Sequence, residues 1–139
     1  MTTKTIKLIA FVVLLVHGIG HLQGVISSTG VKFTKSTSNI SWLLKGLGGG
    51  LNRTFCLAFY MAAGILGIFA ALSFYGIIFT EMGWQNFALT SAFFSAAALI
   101  LFPHALAMFF NKAGAIAVNL VIFYSILFNG HWPEALFND

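Results

Sequence analysis

The sequence predicts an all-α integral membrane protein in which four transmembrane helices form one bundle. Of its residues, 59% are hydrophobic and 7% are charged, and its mean hydropathy is +0.94. Because a soluble domain carries about 25% charged residues, this composition does not suit a surface that faces water. Four runs contain no Asp, Glu, Lys or Arg, namely residues 8–26, 55–79, 87–110 and 113–129. Roughly 17 to 25 such residues cross a hydrocarbon core, and the runs lack the alternation of barrel strands.

The four helices are expected at residues 6–27, 54–79, 86–110 and 112–131, in one transmembrane domain that covers residues 1–139. Lys4 and Lys7 precede the first run, as basic residues do in a signal peptide. However, the run continues to Ile26 without a clear small-x-small cleavage site. We therefore expect a retained helix.

The long polar connection, residues 28–53, is rich in Ser, Thr, Gly and Lys. Its segment NISWLLKGLGGG indicates a short amphipathic turn followed by a flexible glycine hinge. A phosphate cradle is the less favoured interpretation, because the pattern G-x-x-x-x-G-K-[ST] is not met.

Basic residues are distributed unevenly between the two ends of the predicted bundle. The face that holds both termini has Lys4 and Lys7, whereas the long-loop face has Lys32, Lys35, Lys45, Arg53 and Lys112. The positive-inside rule then predicts a plasma (inner) membrane protein with its long loop in the cytoplasm and both termini outside. The net charge of +4 is consistent with this topology and with lipid headgroups rather than with nucleic acid.

Aromatic and acidic residues fit the same arrangement. Three tryptophans are expected in interfacial belts, with Trp84 and Trp132 at the terminal face and Trp42 at the other. All three acidic residues also fall on the terminal face, namely Glu81, Glu134 and Asp139.

The first helix carries a stripe of histidines and glycines. Residues at i, i+3, i+4 and i+7 share a helix face, which here holds His17, Gly20, His21 and Gly24. Because small residues allow helices in membranes to approach closely, we expect Gly20 and Gly24 to pack inside the bundle, with Gly67 in a similar role on the second helix. Gly20→Leu is therefore expected to disrupt the bundle.

Counting from the helix ends brings polar side chains of all four helices to one depth. This predicted polar layer contains His21, Tyr60, His104 and Asn119, with His17 one turn deeper. Pro103 has no amide hydrogen and is expected to kink the third helix, leaving a carbonyl in need of a partner.

Three hypotheses for this layer remain open. It serves as hydrogen-bonding glue between helices, as a ligand site, or as a substrate or proton path in an oligomeric small transporter or channel. The ligand would be haem b held by His21 and His104, or a divalent metal held by His17, His21 and His104.

An enzymatic role is not favoured. No carboxylate pair lies within reach of a common substrate, and no Ser-His-Asp set can be assembled, because the acids are at the terminal face. We therefore expect a non-enzymatic accessory subunit or small oligomer in the lipid bilayer, as a homo-oligomer or within a larger membrane complex, with a haem- or metal-binding redox protein as the alternative.

Several short motifs resemble those of a known group of proteins. They are the H-x-x-x-H-L-x-G of residues 17–24, the loop segment LLKGLGGGLN, and the A-x-x-x-N-L of residues 115–120. With the small residues of the second helix, they resemble small, uncharacterised four-helix membrane proteins of prokaryotes that are DoxX-like in layout. This resemblance implies the four-helix fold over most of the chain and carries no catalytic residue.

Overall fold

The computed structural model describes residues 2–79 and 83–128, and every regular element in this part of the chain is helical. The helices are α1 (Thr3–Gly20), α2 (Leu22–Ser28), α3 (Gly48–Phe74), α4 (Trp84–Leu101) and α5 (Phe109–Phe123). A 3₁₀ turn over Lys45–Leu47 precedes α3, and a π-helical turn over Tyr124–Phe128 continues α5.

Four stretches are long and apolar enough to cross a membrane, namely Thr3–Ser28, Lys45–Phe74, Trp84–Leu101 and Phe109–Phe128. The predicted all-α class with four spans is confirmed to this extent. The predicted first helix is divided into α1 and α2 by a turn at His21, and Thr2 caps its start by accepting the Thr5 amide at 3.3 Å. Predictions for Glu81, Trp132, Glu134, Asp139 and the end of the fourth helix lie outside the described residues.

Helix α3 begins six residues before the predicted start of the second helix at residue 54, because the glycines at residues 48–50 are helical rather than a hinge. Asn52 stabilises this first turn: its Nδ2 atom donates to the Gly48 carbonyl at 2.8 Å and to the Leu44 carbonyl at 2.9 Å. At the other end α3 stops at Phe74 instead of residue 79. Gly76 follows with φ +81°, a left-handed conformation that glycine adopts readily and that often terminates helices.

The third span ends at Leu101, not at residue 110 as predicted. Pro103 disfavours helical backbone at Phe102 and cannot donate an amide hydrogen bond, so it terminates the helix instead of kinking it. Residues 102–108 form an irregular connection, and α5 then begins at Phe109, three residues before its predicted start.

Helix α3 is the centre of the bundle and packs against α1, α2 and α4. Its closest approach to α1 is at Gly18, where an added Cβ would lie 2.7 Å from the Ile68 nitrogen. Against α4, the Ser91 hydroxyl donates to the Ala63 carbonyl at 2.7 Å. Small residues and backbone hydrogen bonds thus bring these helices together, as in other membrane bundles.

Two clusters of buried hydrophobic residues fill the bundle. One contains Leu14, Ala70, Ala71, Phe74, Trp84, Ala88, Ala92 and Ile122. The other contains Cys56, Tyr60, Ala98, Phe102, Ala105 and Leu106. The position of Trp84 corrects the predicted belt: its ring is 3% exposed and packs edge-on against Phe74, with ring centroids 5.0 Å apart.

The long loop is held against the helix ends by side-chain hydrogen bonds. The Ser41 amide donates to Asn52 Oδ1 at 2.9 Å, and Trp42 Nε1 donates to the Ile100 carbonyl at 2.6 Å. The Ser38 amide donates to the His104 carbonyl at 3.0 Å, so this loop and the α4–α5 connection lie at the same end of the molecule.

Candidate functional site

His17 of α1 and His21, at the turn between α1 and α2, form a buried pair. Their Nε2 atoms are 3.4 Å apart, and the rings meet edge to face with centroids 4.7 Å apart. His17 is 7% exposed and His21 is 1% exposed. His21 Nδ1 has no hydrogen-bond partner among the described residues, so this pair has an unused polar atom in an apolar interior.

Tyr60 lies beside this pair, on α3. Its ring centroid is 5.9 Å from that of His21, and its hydroxyl donates to the Phe102 carbonyl at 3.1 Å. Gly24 makes room for the Tyr60 ring, because a Cβ at residue 24 would overlap the ring carbons. Gly24 therefore lies at a close helix contact. The carbonyl of Phe102, the residue before Pro103, has the Tyr60 hydroxyl as its hydrogen-bond partner.

Asn119 approaches the pair from α5. Its Nδ2 atom donates to the Ser95 hydroxyl at 2.8 Å, which joins α5 to α4. The Asn119 side chain lies near the His17 ring, but Asn119 Oδ1 makes no hydrogen bond to any described residue. His17, His21, Tyr60 and Asn119 are therefore brought close together.

His104 is a correction to the predicted layer. It is exposed, in the α4–α5 connection, and lines a surface depression with Pro103, Trp42 and Lys45. Because the helix ends at Leu101, the helical spacing that would have brought His104 to the depth of His21 does not apply. In residues 2–79 and 83–128, no three or more His, Cys, Asp or Glu side chains meet at a point that could hold a metal ion. The predicted three-histidine metal set therefore does not come together, and of the two predicted haem ligands His21 is 1% exposed whereas His104 lies exposed at the surface.

Gly20 is also corrected. A Cβ at Gly20 would meet no atom within 4 Å, so this glycine does not hold two helices together. The role falls to Gly18, which faces Gly64 and Gly67 of α3; a Cβ at Gly67 would lie 3.0 Å from Gly18 Cα and 3.1 Å from Ser91 Oγ. The i, i+3 spacing of Gly64 and Gly67 was the sequence signal that could have identified the matching face of α1.

Gly20 instead lines a groove between α1 and α5, which we call the His groove. Its volume is about 400 Å³, and its apolar walls are formed by Val12, Val13, Val16, Leu106, Phe110 and Val118. Its polar or small lining residues are His17, Gly20, His21, Asn111, Gly114 and Ala115. Asn111 donates through Nδ2 to Gln23 Oε1 at 2.9 Å, which ties α5 to α2 beside the groove.

A second cavity, of about 300 Å³, continues along the same helix pair and has a wholly apolar lining. Val13 and Val118 line both spaces. The seam between α1 and α5 therefore has polar groups at its long-loop end and only apolar side chains further along.

No family model matches the sequence, and comparisons with curated proteins and with solved structures found no match. The resemblance to DoxX-like proteins stays a prediction.

Proposed function

We propose that this chain is a non-enzymatic polytopic protein of the plasma (inner) membrane that binds a membrane-borne small molecule in the His groove. The long loop would lie in the cytoplasm and both termini outside, in keeping with the five basic residues of the long-loop face. The protein would act as an accessory subunit or small oligomer, either as a homo-oligomer or within a larger membrane complex.

The outer surface supports insertion in a bilayer. Large hydrophobic side chains are exposed along every span; Phe128 is 80% exposed and Phe110 is 84% exposed. Soluble proteins rarely expose apolar surface of this extent. In lipid, the same side chains would face hydrocarbon.

One observation carries the binding proposal: a groove with apolar walls has buried imidazoles as its polar lining. Its volume of about 400 Å³ falls within the range of about 300–1,000 Å³ that is typical of small-molecule sites. Such sites combine apolar walls with a few polar groups that orient the ligand. The ligand that matches has a hydrogen-bonding head at His17 and His21 and an apolar tail along the second cavity.

Binding without catalysis is favoured by the chemistry of the lining. The groove is lined by two imidazoles, one carboxamide and aliphatic, aromatic and small residues, and its lining within the described part of the chain includes no carboxylate or thiol. General acid–base hydrolysis uses groups placed to give and to receive a proton, commonly a carboxylate pair or a base with an orienting acid. The hypothesis of an oligomeric transporter or channel has no specific contact in its favour.

Filling the groove tests the proposal. The protein in mild detergent is irradiated with a diazirine-labelled fatty acid, and the labelled residues are mapped by mass spectrometry. We expect labelling of Val16, Phe110 and Val118 in the wild type and its loss in Gly20→Leu, because the new side chain would project into open space.

Gly46→Leu is the matched control, because a Cβ at this loop glycine also meets no atom within 4 Å and Gly46 does not line the groove. It should keep the wild-type pattern. Groove labelling that survives in Gly20→Leu, or labelling spread evenly over all exposed helix faces, would contradict the proposal.

A metal ion at the histidine pair is the second candidate. Two Zn–N bonds of about 2.0–2.1 Å at a tetrahedral angle place their nitrogens about 3.4 Å apart, and the two Nε2 atoms are separated by 3.4 Å. The pair would supply two ligands, and the groove would supply the rest from solvent or from the bound molecule. Haem fits less well, because axial imidazoles must stand on opposite faces of the macrocycle, whereas these two converge on one point.

Titration with cobalt tests the metal candidate. A protein with a histidine-free affinity tag is titrated with Co²⁺, whose visible bands are intense only in a tetrahedral site. We expect bands that are lost in His17→Gln and kept in His104→Gln, whose imidazole is exposed and does not line the His groove. A weak octahedral spectrum, or equal spectra in both variants, would rule out the metal site.

A further inference from the structure

A basic cleft lies at the long-loop end of the molecule, separate from the His groove. It has a volume of about 710 Å³ and lies between the loop and the start of α3. The cationic side chains among its lining residues are Lys32, Lys35 and Arg53. Hydroxyl and glycine residues also line the cleft, among them Ser36, Thr37, Ser38, Gly49 and Gly50.

The three cations have no acidic partner within the described part of the chain. Residues 2–79 and 83–128 contain no Asp or Glu at all, since the chain's three acids are Glu81, Glu134 and Asp139. Like charges around a concave surface reinforce one another's potential and attract an anion. The cleft is therefore complementary to a negatively charged group.

The start of α3 adds donors to this field. The first amide groups of an α-helix have no intrahelical acceptor, and the helix dipole places positive potential there. No side chain caps this end of the 27-residue helix, and its first turn contains no acidic residue. Gly49 and Gly50 line the cleft, and no atom lies within 4 Å of the Cβ position of either, so an anion could approach their backbone.

The cleft is held in shape by specific contacts. Arg53 donates through a guanidinium nitrogen to the Thr29 carbonyl at 3.3 Å. The same nitrogen lies against Gly30, whose φ of +98° and missing Cβ leave room for it. Asn39 Nδ2 donates to the carbonyls of Ser27 and Ser28, each at 3.3 Å, and so ties the loop to the end of α2.

We propose that the basic cleft binds a phosphate group, carried either by an anionic lipid headgroup or by a free phosphate ion. Guanidinium, ammonium, hydroxyl and helix N-terminal amide groups are the donors that phosphate oxygens prefer. The sequence pattern of a nucleotide-binding loop is not needed, because the tertiary fold brings the loop cations to the α3 glycines. This proposal is independent of what occupies the His groove.

The lipid source is tested with the full chain in nanodiscs of phosphatidylcholine and phosphatidylglycerol. Native mass spectrometry of the protein after its release from the nanodiscs measures which lipid stays bound. We expect the wild type to retain phosphatidylglycerol preferentially. Removal of each cation should reduce this preference about fivefold, as tested in Arg53→Gln and in the double variant Lys32→Gln/Lys35→Gln.

Lys45→Gln and Lys112→Gln are the matched controls, because they remove a basic residue of the same predicted face that does not line the cleft. The second arm measures the melting temperature in neutral detergent with inorganic phosphate against chloride at equal ionic strength. Stabilisation by phosphate in the wild type, lost in the cleft variants, would assign a free phosphate ion as the ligand.

Either preference, if it is present in the wild type and lost only in the cleft variants, supports the proposal and identifies the source of the phosphate group. Equal losses in the cleft variants and in the controls would show unspecific attraction and overturn it, as would the absence of both preferences. If Arg53→Gln alters folding through the Thr29 contact, the double lysine variant still decides, since both lysines are exposed.

Discussion

The crossing of α1 and α3 at Gly18 permits a quantitative test of how the bundle is held together. In Gly18→Ala, the new Cβ would lie 2.7 Å from the Ile68 nitrogen and 3.0 Å from both the Gly64 oxygen and the Gly67 carbonyl carbon. All three are backbone atoms, so no side chain can rotate away. A normal contact is about 3.5–4.0 Å, so the helices must separate by about 1 Å.

The magnitude follows from comparison with Gly20→Ala on the same helix. Overpacking of this kind costs about 1–3 kcal/mol. Both substitutions bring a similar gain in helix propensity, at most about 1 kcal/mol, but Gly20→Ala meets no atom within 4 Å. We therefore expect the free energy of unfolding of Gly18→Ala to lie about 1–3 kcal/mol below that of Gly20→Ala.

The assay is reversible unfolding in mixed micelles, in which sodium dodecyl sulfate is titrated against a mild detergent and helix content is followed by circular dichroism. Equal free energies for the two variants would refute the close packing of Gly18 on α3. A larger loss in Gly20→Ala would instead restore the interior position that the sequence predicted for Gly20.

Three further changes test contacts on which the fold and the site depend. Tyr60→Phe removes the hydroxyl that donates to the Phe102 carbonyl, and it should lower the unfolding free energy by about 0.6 kcal/mol in the same titration. A loss well above about 1.7 kcal/mol would mean that the hydroxyl makes interactions beyond this hydrogen bond. Gly24→Ala should be destabilising in the wild type and much less so beside Tyr60→Ala, because its Cβ overlaps ring carbons of Tyr60 that alanine lacks; additive effects in the double-mutant cycle would contradict that contact. Asn52→Ala removes the acceptor of the Ser41 amide and two hydrogen bonds to backbone carbonyls, so hydrogen exchange of the Ser41 amide should accelerate. Thr54→Ala, at an exposed site, is the control. If the Ser41 amide exchanges at the same rate in both variants, the loop is held by other contacts.

Hydropathy was sufficient to predict the spans, because membrane crossing depends on length and composition and tolerates errors of several residues at each end. The end of the third span was missed because Pro103 was expected to kink a helix that it terminates. His104 was then placed at a depth that only a continuous helix would give it.

The rotation of each helix about its axis was harder to predict. Successive residues differ by about 100° around an α-helix, so Gly18 and Gly20 point in very different directions although both are small. The sequence placed Gly20 on the packed face because it shares a stripe with His17 and His21. The structure shows that this stripe lies at the edge of the α1–α3 contact, with the histidines buried and Gly20 facing the groove.

Hydrogen bonds from side chains to the backbone account for what the sequence could not indicate about the loop. Asn52 falls within the predicted polar connection, yet it is 1% exposed and joins three backbone groups. These groups lie 4, 8 and 11 residues before Asn52, and no periodic pattern in the sequence indicates such a set of partners. For the same reason the basic cleft, which combines loop lysines with the first turn of α3, was not predicted.

The most direct test of the central claim is to identify what the His groove contains when the protein is isolated. Wild-type protein, Gly20→Leu and Gly46→Leu are purified from native membranes, and their organic extracts are compared by liquid chromatography and mass spectrometry. We expect about one equivalent of an amphiphilic compound per protein chain in the wild type and in Gly46→Leu, and we expect its loss in Gly20→Leu. Identical extracts from all three proteins would contradict a ligand in the groove and leave the histidine pair as a packing feature of the bundle.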